Sequence, residues 1–331
     1  MDKVLVIGMG QLGNCIRDAY KSYLNNLDGA NQAALLDFAS RTPKDESVIK
    51  LDITDKYDFL NTVSNKGYRF IVNCSAFTDV NGAENGDDIT REKCMKLNRD
   101  CLQHVSEFCE KESCNLIHIS TDYVFDGNTG LKREDSQEFN PKNVYGSSKR
   151  DGEEVIHRYM GVKGKYMIIR TSSLYSQYGK NFVLTMINKF NSNEDVNVVI
   201  DNISSPTNAN DFAHMILNHI LIPYANGLKE IENGVWHFSN EGAISWYDFA
   251  QSILSCYKKY IGQTSSRVLA TDTETMIATA SKKGIIIPNR PFASVIAKDK
   301  FKKEGYKIKY WKDSLNEFFT SQLNIAKYGS K

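Results

Sequence analysis

The sequence predicts an α/β protein in which a doubly wound parallel sheet carries a smaller α/β cap lobe. First, six short apolar segments alternate with longer segments that have helical periodicity. Second, a glycine-rich turn joins the first apolar segment to the first predicted helix. Third, 331 residues are more than one compact core usually organises, which favours a second lobe.

The predicted strands of the first half are apolar almost throughout, as expected for parallel strands that are buried on both faces. They cover Lys3–Ile7 and residues 33–38, 48–51, 69–74, 115–120 and 165–170. Residues 11–24, 90–111 and 145–160 are predicted helices because their apolar side chains recur at helical spacing. Since crossovers between parallel strands are right-handed, the helices should cover both faces of one sheet.

The pattern is less regular in the second half. We predict helices at 181–190, from 209 to about 221 and at Trp246–Tyr260, and strands at 196–200 and 235–238. Residues 203–208 contain a proline that interrupts the pattern. We therefore assign residues 1–172 to the sheet domain, with residues of about 195–240 partly returning to it. Residues 173–331 mainly form the cap over the carboxyl ends of the strands, where such sheets bind ligands.

Charge and composition exclude several classes of protein. Lys and Arg number 41 against 40 Asp and Glu, so no basic field favours nucleic acid or an anionic membrane. No apolar stretch approaches the roughly 20 residues of a membrane span, and the first apolar segment is too short for a signal peptide. Seven cysteines without a CxxC pair indicate reduced thiols. The expected location is the cytoplasm.

The glycine-rich turn predicts a dinucleotide site. Gly8, Gly10 and Gly13, with Gln11 and Leu12 among them, lie between the first strand and the first helix. Glycine lets the backbone turn tightly and approach a pyrophosphate, whose charge is stabilised by the amino terminus of the helix. A GxGxxG string alone is a weak signal, but its place between strand and helix makes it informative.

The choice between NAD and NADP stays open. Asp37, placed at the end of the second predicted strand, could accept hydrogen bonds from the adenosine ribose and favour NAD, or be a solvated loop residue. Arg41 could instead hold a 2′-phosphate and favour NADP. Asp52, Ser75 and Ala76 follow the third and fourth strands, and we add them to the candidates for cofactor binding.

Three side chains predict carbonyl reduction. Thr121 follows the fifth strand, and Tyr145 and Lys149 are four residues apart at the start of a helix, on one face. A phenol with a pKa near ~10 exchanges its proton poorly at neutral pH unless a nearby cation stabilises the phenolate. Lys149 would supply that cation, Tyr145 would protonate the carbonyl oxygen, and Thr121 would orient it. The alternative for a lone YxxxK string is an exposed pair on a helix.

Together these elements resemble the extended short-chain dehydrogenase/reductases, and longer strings resemble their dTDP-4-dehydrorhamnose reductase branch. The strings are GQLG at 10–13, STDYVFDG at 120–127, NVYGSSK at 143–149, RTS at 170–172, GKNF at 179–182, SPT at 205–207, SWYDFA at 245–250 and NRP at 289–291. The resemblance runs in order from residue 3 to about residue 320.

This resemblance implies a Rossmann domain, a nucleotide-sugar substrate and reduction by NADPH or NADH, with a homodimer as the expected assembly. The implied reaction converts dTDP-4-dehydro-L-rhamnose to dTDP-L-rhamnose. It makes Thr121, Tyr145 and Lys149 the catalytic residues and Asn98 a supporting residue. The implied substrate-binding residues are Asp122, Tyr123, Val124, Phe125, Asn181, Thr207, Trp246 and Arg290. As alternatives, Trp246 could be a core residue and Arg290 a surface residue.

Three positions depart from the family pattern. The family commonly has GxxGxxG, whereas only Met9 separates the first two glycines here. Ser173 follows Arg-Thr-Ser where the family commonly has tryptophan. Some members bind magnesium at an acidic position of the first helix, but the local residues here are Asn14 and Cys15, so we expect no metal.

Two other enzymes and one non-catalytic protein are the alternatives. A dehydratase is disfavoured because Tyr123 follows Asp122 where those enzymes carry glutamate. An epimerase uses the same tyrosine and lysine, but the downstream strings favour the reductase. The non-catalytic alternative is an NADP-binding regulatory subunit like the β subunit of methionine adenosyltransferase. The three catalytic side chains favour an enzyme.

Overall fold

The computed structural model describes residues 3–26, 35–128, 130–161 and 164–321. Its strands are, in chain order, β1 (Lys3–Ile7), β2 (Leu35–Ser40), β3 (Val48–Lys50), β4 (Tyr68–Asn73), β5 (Asn115–Thr121), β6 (Tyr166–Thr171), β7 (Leu174–Tyr175), β8 (Val196–Val199), β9 (Ile203–Ser204), β10 (Thr207–Asn208), β11 (Gly234–Phe238), β12 (Ile244–Ser245), β13 (Val268–Thr271) and β14 (Ala293–Ser294).

The α-helices alternate with these strands through most of the chain. They are α1 (Gln11–Asn25), α2 (Lys56–Val63), α3 (Val80–Asn85), α4 (Asp88–Met95), α5 (Cys101–Lys111), α6 (Val144–Met160), α7 (Phe182–Asn191), α8 (Ala209–Met215), α9 (Ile222–Ala225), α10 (Trp246–Tyr260), α11 (Thr273–Ser281), α12 (Asp299–Lys303) and α13 (Trp311–Thr320). The strictly apolar segments became strands and the segments of helical period became helices, so the predicted fold class is confirmed.

In the described residues, seven strands form one sheet in the order β11-β6-β5-β4-β1-β2-β3, and all neighbours are parallel. The order reverses between β1 and β4, which lie side by side although two strands separate them in the chain. At such a reversal the connections leave to opposite faces and open a crevice at the carboxyl ends of the strands. The ligand site is therefore expected beside Ile7 and Asn73.

Two apolar layers cover the sheet. On one face α1 packs against α8, and Ile16 and Phe212 are fully buried there. On the other face α5 and α6 pack together, and Leu102 and Ile156 are fully buried. The strands are thus buried on both sides, which explains why they are apolar throughout rather than alternating.

The second strand extends beyond its predicted carboxyl end. Residues 33 and 34 lie outside the described residues, and β2 continues to Ser40 because Phe38 and Ala39 extend the apolar pairing with β1. Asp37 is consequently a mid-strand residue opposite Leu5. Its predicted place at the strand end was wrong.

The predicted helix at 90–111 is interrupted by a π-helical turn at Lys96–Asp100, between α4 and α5. Such turns are often found at functional sites, because the wider backbone displaces a side chain from the regular helical face. Here the turn contains buried Asn98, whose amide bonds the backbone of Phe77 and the hydroxyl of Ser148.

The cap contains small sheets and a core of its own. Strand β8 pairs with β13, β7 with β10, and β9 with β12 and β14, around an apolar cluster from α7, α10 and α13. Of the segment expected to return to the main domain, β11 joins the main sheet and α8 packs on α1, whereas β8 stays in the cap. Among the described residues, no helix is long and apolar enough to cross a membrane.

Candidate active site

A cavity of about 620 Å³ opens at the carboxyl edge of the sheet, at the reversal between β1 and β4. Its lining includes residues from the ends of β1, β2, β4, β5 and β6, together with residues of the cap. The volume is in the usual range for a ligand cleft. The cavity therefore joins the predicted cofactor residues to the predicted catalytic residues and to the cap.

Close backbone contacts explain two of the three glycines. Gly8 has φ +100°, and a Cβ there would lie 2.5 Å from the backbone nitrogen of Ser75. A Cβ at Gly13 would lie 2.0 Å from the carbonyl oxygen of Gly8, so helix α1 packs directly on the turn. Gly10 differs, because no heavy atom lies within 4 Å of its hypothetical Cβ. Gly10 thus leaves space in the cavity, whereas Gly8 and Gly13 allow the tight turn.

The amino terminus of α1 fits an anionic ligand. No side chain caps this helix, although side chains cap α2, α6 and α7. Gly10, Gln11 and Leu12 line the cavity, so the uncapped end of the helix faces it. Asn14 braces the turn, since its amide nitrogen donates to the carbonyl oxygens of Met9 at 2.7 Å and Gly10 at 2.8 Å. The shortened turn therefore keeps an end that suits a diphosphate.

The structure separates the two candidates for the adenosine ribose. Arg41 lines the cavity beside Ser40 and Thr42, directly after β2. Asp37 does not line it, and its carboxylate accepts a 2.7 Å hydrogen bond from the hydroxyl of Tyr68. The predicted cofactor contact of Asp37 was wrong, because β2 extends three residues beyond it.

The other cofactor-side candidates line the cavity. Ser75 and Ala76 follow β4, at the reversal of strand order. Asp52 lines it as well, while its Oδ1 accepts from the backbone nitrogen and hydroxyl of Thr54 at 2.9 and 2.7 Å. Sequence analysis missed Ser40 and Thr42, since the predicted strand ended before them.

The three predicted catalytic residues line one part of the cavity. Thr121 is the last residue of β5. Tyr145 and Lys149 lie one turn apart near the start of α6, which is capped by Asn143, whose Oδ1 accepts from the backbone nitrogen of Gly146 at 2.8 Å. The strand end and the capped helix start thus bring a hydroxyl, a phenol and an amine together.

Burial dominates the acid–base properties of Tyr145. It raises the pKa of Tyr145 well above its ordinary value, and the nearby acid Asp122 raises it further, while a hydrogen bond with Thr121 acts in the opposite direction. Tyr145 is therefore protonated at neutral pH in the free protein. A protonated phenol is the state needed by a proton donor.

Asp122 fixes the hydroxyl of Thr121. Thr121 Oγ1 donates to Asp122 Oδ1 at 3.0 Å and accepts from the backbone nitrogen of Tyr123 at 3.2 Å. Burial raises the pKa of Asp122 to about 6, although hydrogen bonds from Ser172 and others partly oppose this. Asp122 lines the cavity, and its carboxylate contacts the Thr121 hydroxyl directly.

The fully buried imidazole of His118 lies beneath Lys149. Lys149 Nζ donates to the carbonyl oxygen of Ile119 at 2.7 Å and lies 3.0 Å from Nε2 of His118. Nδ1 of His118 lies 3.2 Å from Nδ2 of Asn73. Sequence analysis missed His118, although an imidazole inside an otherwise apolar strand was a signal that it has a buried partner.

The cap contributes aromatic and basic groups to the other end of the cavity. Trp246 and Phe182 line it with ring centroids 5.7 Å apart, and the guanidinium of Arg290 lies 5.1 Å from the centroid of Trp246. Lys180 and Ser173 line it too, and Ser173 has φ +44°. Of these, sequence analysis named Trp246, Arg290 and the unusual Ser173, but missed Phe182 and Lys180.

Five of the predicted substrate residues do not line the cavity, and this corrects the sequence analysis: they are Val124, Phe125, Asn181, Thr207 and Arg290, the last of which only packs over Trp246. Val124 and Phe125 are buried in a small cluster with Ile296, against which Phe139 packs. Thr207 is fully buried and donates to the carbonyl oxygen of Ser172 at 2.6 Å. Asn181 caps α7.

Asn181 still supports the site indirectly. Its Nδ2 donates at 3.0 Å to Oε1 of Gln11, a residue of the cavity lining. The cap is thus tied to the first turn of α1. Tyr123 also lines the cavity, and its ring meets that of Tyr145 edge-on at 5.8 Å.

Comparisons with known proteins match the whole length of this fold. The family model of the RmlD substrate binding domain matches residues 2–324. The dTDP-4-dehydrorhamnose reductase of Aggregatibacter actinomycetemcomitans is 32% identical over 257 residues, 76% of this chain and 78% of the relative. The dTDP-4-keto-6-deoxy-D-glucose reductase of Streptomyces niveus is 28% identical over 270 residues, 81% of this chain and 85% of the relative.

A solved structure is similar over nearly the same span. It is the crystal structure of a dTDP-4-dehydrorhamnose reductase from Bacillus anthracis str. Ames in complex with NADP. It is 29% identical, covers 96% of this chain and 98% of its own, and has a TM-score of 0.75. The match spans both the sheet domain and the cap.

Proposed function

The chain belongs to the RmlD family of NAD(P)-dependent oxidoreductases, and we propose that it reduces the 4-keto group of dTDP-4-dehydro-L-rhamnose to give dTDP-L-rhamnose. The observation that carries this proposal is the meeting of Thr121, Tyr145 and Lys149 in one cavity that is also lined by the glycine-rich turn. The dTDP-4-dehydrorhamnose reductases to which the chain is similar support it.

The cofactor side of the cavity is suited to NADPH or NADH. The uncapped start of α1 would hold the diphosphate, with Gly10 leaving room for it. When bound, the nicotinamide supplies the hydride that reaches the carbonyl carbon. Ser75 and Ala76 are small enough to allow that ligand close to the backbone after β4.

The proton of the reaction would come from Tyr145. As the carbon gains hydride, the carbonyl oxygen gains the phenolic proton, so that a C=O group becomes CH–OH and Tyr145 is left as phenolate. Thr121 would orient the same oxygen, with its own hydroxyl held by Asp122. Lys149, when protonated, would stabilise the phenolate until solvent restores the proton.

The cap side would recognise the nucleotide-linked sugar. Trp246 and Phe182 offer aromatic faces for a base or sugar ring. Arg290 and Lys180 supply positive charge for a diphosphate, and the planar guanidinium can donate in pairs. Ser173, which stands where the family commonly has tryptophan, leaves this wall less aromatic.

The test measures NADPH and NADH oxidation with dTDP-4-dehydro-L-rhamnose generated in situ. In Tyr145→Phe we expect turnover to fall by about 100-fold or more, because general acid catalysis typically contributes that much. Tyr257→Phe is the matched control, since Tyr257 is a buried tyrosine that does not line the cavity and whose hydroxyl bonds Asn191. Its activity should equal that of the wild type.

The alternatives give different outcomes in the same assay. Turnover of dTDP-4-keto-6-deoxy-D-glucose but not of the rhamnose precursor would contradict the proposed sugar while keeping the reductase. Binding of NADPH without reduction of either keto-sugar would favour the regulatory subunit. Equal activity of Tyr145→Phe and wild type would contradict Tyr145 as the proton donor.

A further inference from the structure

His118 is a fully buried titratable residue that touches the catalytic lysine. It lies in the middle of β5, is 0% exposed and does not line the cavity. Its two ring nitrogens face Lys149 on one side and Asn73 on the other. The reaction proposed above uses Lys149 but assigns no role to the imidazole beneath it.

The orientation of the Asn73 amide follows from its other contacts. Asn73 Oδ1 lies 3.0 Å from the backbone nitrogen of Ser75 and 2.5 Å from the Ser75 hydroxyl. A backbone N–H can only donate, so the amide atom that faces it must be the oxygen. The amide nitrogen therefore faces His118 and donates to its Nδ1.

The proton of the imidazole follows in turn. Burial lowers the pKa of His118 well below its ordinary value, and the charge of Lys149 lowers it further, so the ring is neutral. A neutral ring whose Nδ1 accepts carries its proton on Nε2. Nε2–H then points at Nζ of Lys149 across 3.0 Å. This contact is a hydrogen bond when Lys149 is an amine, because an ammonium has no lone pair with which to accept.

We propose that Asn73 and His118 are positioning residues that oppose the ammonium form of Lys149 and so set the upper pH limit of the reaction. The inference rests on the proposed function for its kinetic consequence. When Lys149 is an ammonium, two hydrogen-bond donors must face each other, either at the contact of His118 with Lys149 or at its contact with Asn73. Such a contact costs free energy in a site that water does not reach.

Burial and neighbouring titratable groups also shift the pKa of Lys149. Burial lowers the pKa of Lys149 to about 8, while the other titratable groups that face the amine raise it. Those groups are Glu153 of α6, Cys74 after β4, Cys94 of α4 and Cys101 of α5. His118 is the neighbour that presents a donor to the amine, so it acts in the same direction as burial.

The first test needs neither cofactor nor substrate. Protein labelled with ¹⁵N-histidine is studied by NMR at pH 9, and the His118 signals are assigned by their absence in His118→Gln. We expect the tautomer protonated on Nε2 and bare on Nδ1. The opposite tautomer, or a charged ring, would overturn the proposal even if the keto-sugar reaction were confirmed.

The second test is the pH dependence of kcat/KM for keto-sugar reduction. In the wild type, activity should fall as pH rises through the pKa of Lys149, because the amine no longer stabilises the phenolate. In His118→Gln, the side-chain oxygen can accept from the ammonium. The alkaline limb should then move up by about one pH unit, which is a change of about tenfold in the protonation equilibrium.

Two further variants separate this effect from a loss of packing. His237→Gln changes another fully buried histidine, which bonds the carbonyl oxygen of Ala297, and it should leave the limb unmoved. In Asn73→Asp, the carboxylate still accepts from Ser75 but now also accepts from Nδ1–H of His118. Nε2 of His118 can then accept from the ammonium of Lys149, so the alkaline limb should move upward as well. Unmoved limbs in His118→Gln and Asn73→Asp would overturn the proposal. Absence of turnover in the wild type would contradict the proposed function, with the NMR result still deciding the tautomer.

Discussion

At the scale of single residues, the position at which β2 ends decides whether Asp37 or Arg41 lines the cavity where the adenosine of the cofactor is proposed to bind. The carboxylate that would favour NAD belongs to Asp37, but that group is bonded to Tyr68. Arg41 is exposed at the cavity between two hydroxyl residues. A guanidinium flanked by hydroxyls suits a 2′-phosphate, so we predict a preference for NADPH over NADH.

We predict that Arg41→Ala weakens NADPH binding by about 10-fold or more and changes NADH binding little, because a charge-assisted contact to the 2′-phosphate is lost. Fluorescence titration of both cofactors measures the two dissociation constants. Arg158→Ala, which changes an exposed arginine near the end of α6, is the control and should affect neither. Equal weakening of NADH and NADPH by Arg41→Ala would argue against a 2′-phosphate contact.

Short strings of sequence predicted the three side chains that line one part of the cavity, but they did not predict the partners of these side chains. Thr121, Tyr145 and Lys149 follow from spacing on one strand end and one helix turn, so the sequence predicts them. The bond from Thr121 to Asp122 and the imidazole under Lys149 depend on how β5 and α6 face each other. Spacing along the chain carries no information on that contact.

At the scale of elements, α6 carries the phenol and the amine and is anchored by a buried ion pair. Glu153 accepts from Arg170 of β6 at 2.9 and 2.6 Å and from the Ser120 hydroxyl at 2.6 Å. Arg170 also lies 5.0 Å from the ring centroid of Phe125. The pair therefore ties the helix to two central strands, directly below the catalytic turn.

We predict that Glu153→Gln lowers the free energy of unfolding by about 3 kcal/mol, because it leaves the buried Arg170 without its counter-charge. Urea denaturation measures this. Glu154→Gln is the matched control in the same helix, since Glu154 is exposed and pairs with Arg150, and it should cost less than about 1 kcal/mol.

The pH dependence of that difference has a defined sign. Burial alone raises the pKa of Glu153, but the charge and hydrogen bonds of Arg170 outweigh it, and the pKa is lowered. A lowered carboxyl pKa stabilises the fold above the ordinary pKa of glutamate, and this stabilisation is lost as pH falls. The cost of Glu153→Gln should therefore shrink in acid, and a cost that grew in acid would contradict the ion pair.

At the scale of the whole molecule, one cavity connects the sheet domain to the cap. The reversal between β1 and β4 opens it, and residues of β7, α7 and α10 close its other side. A ligand that fills it contacts both parts of the chain. Binding should consequently stabilise the molecule as a unit.

We predict that NADPH at 100 times its dissociation constant raises the free energy of unfolding by about 2.7 kcal/mol. Thermal denaturation with and without NADPH measures the shift. Gly10→Val is the control, because its side chain meets open space in the free protein but would occupy the place proposed for the diphosphate. It should fold and lose the shift, and a full shift in this variant would contradict the proposed cofactor position.

The sequence alone determined the α/β class, the glycine-rich turn, the three side chains predicted to be catalytic and the family resemblance. Each of these depends on neighbours in the chain: apolar periodicity, the conformations open to glycine, and the spacing of two side chains on one helix turn. These signals do not depend on tertiary contacts, so they can be recognised in the sequence without a structure.

Only the tertiary structure decided which candidates reach the cavity. It moved the end of β2 past Asp37, buried Thr207 and Phe125, and brought Arg290 over Trp246. It also placed His118 between Asn73 and Lys149. These outcomes depend on strand register and on packing between distant segments, which no local pattern encodes, because a side chain's partner is fixed only when the sheet and its helices are assembled.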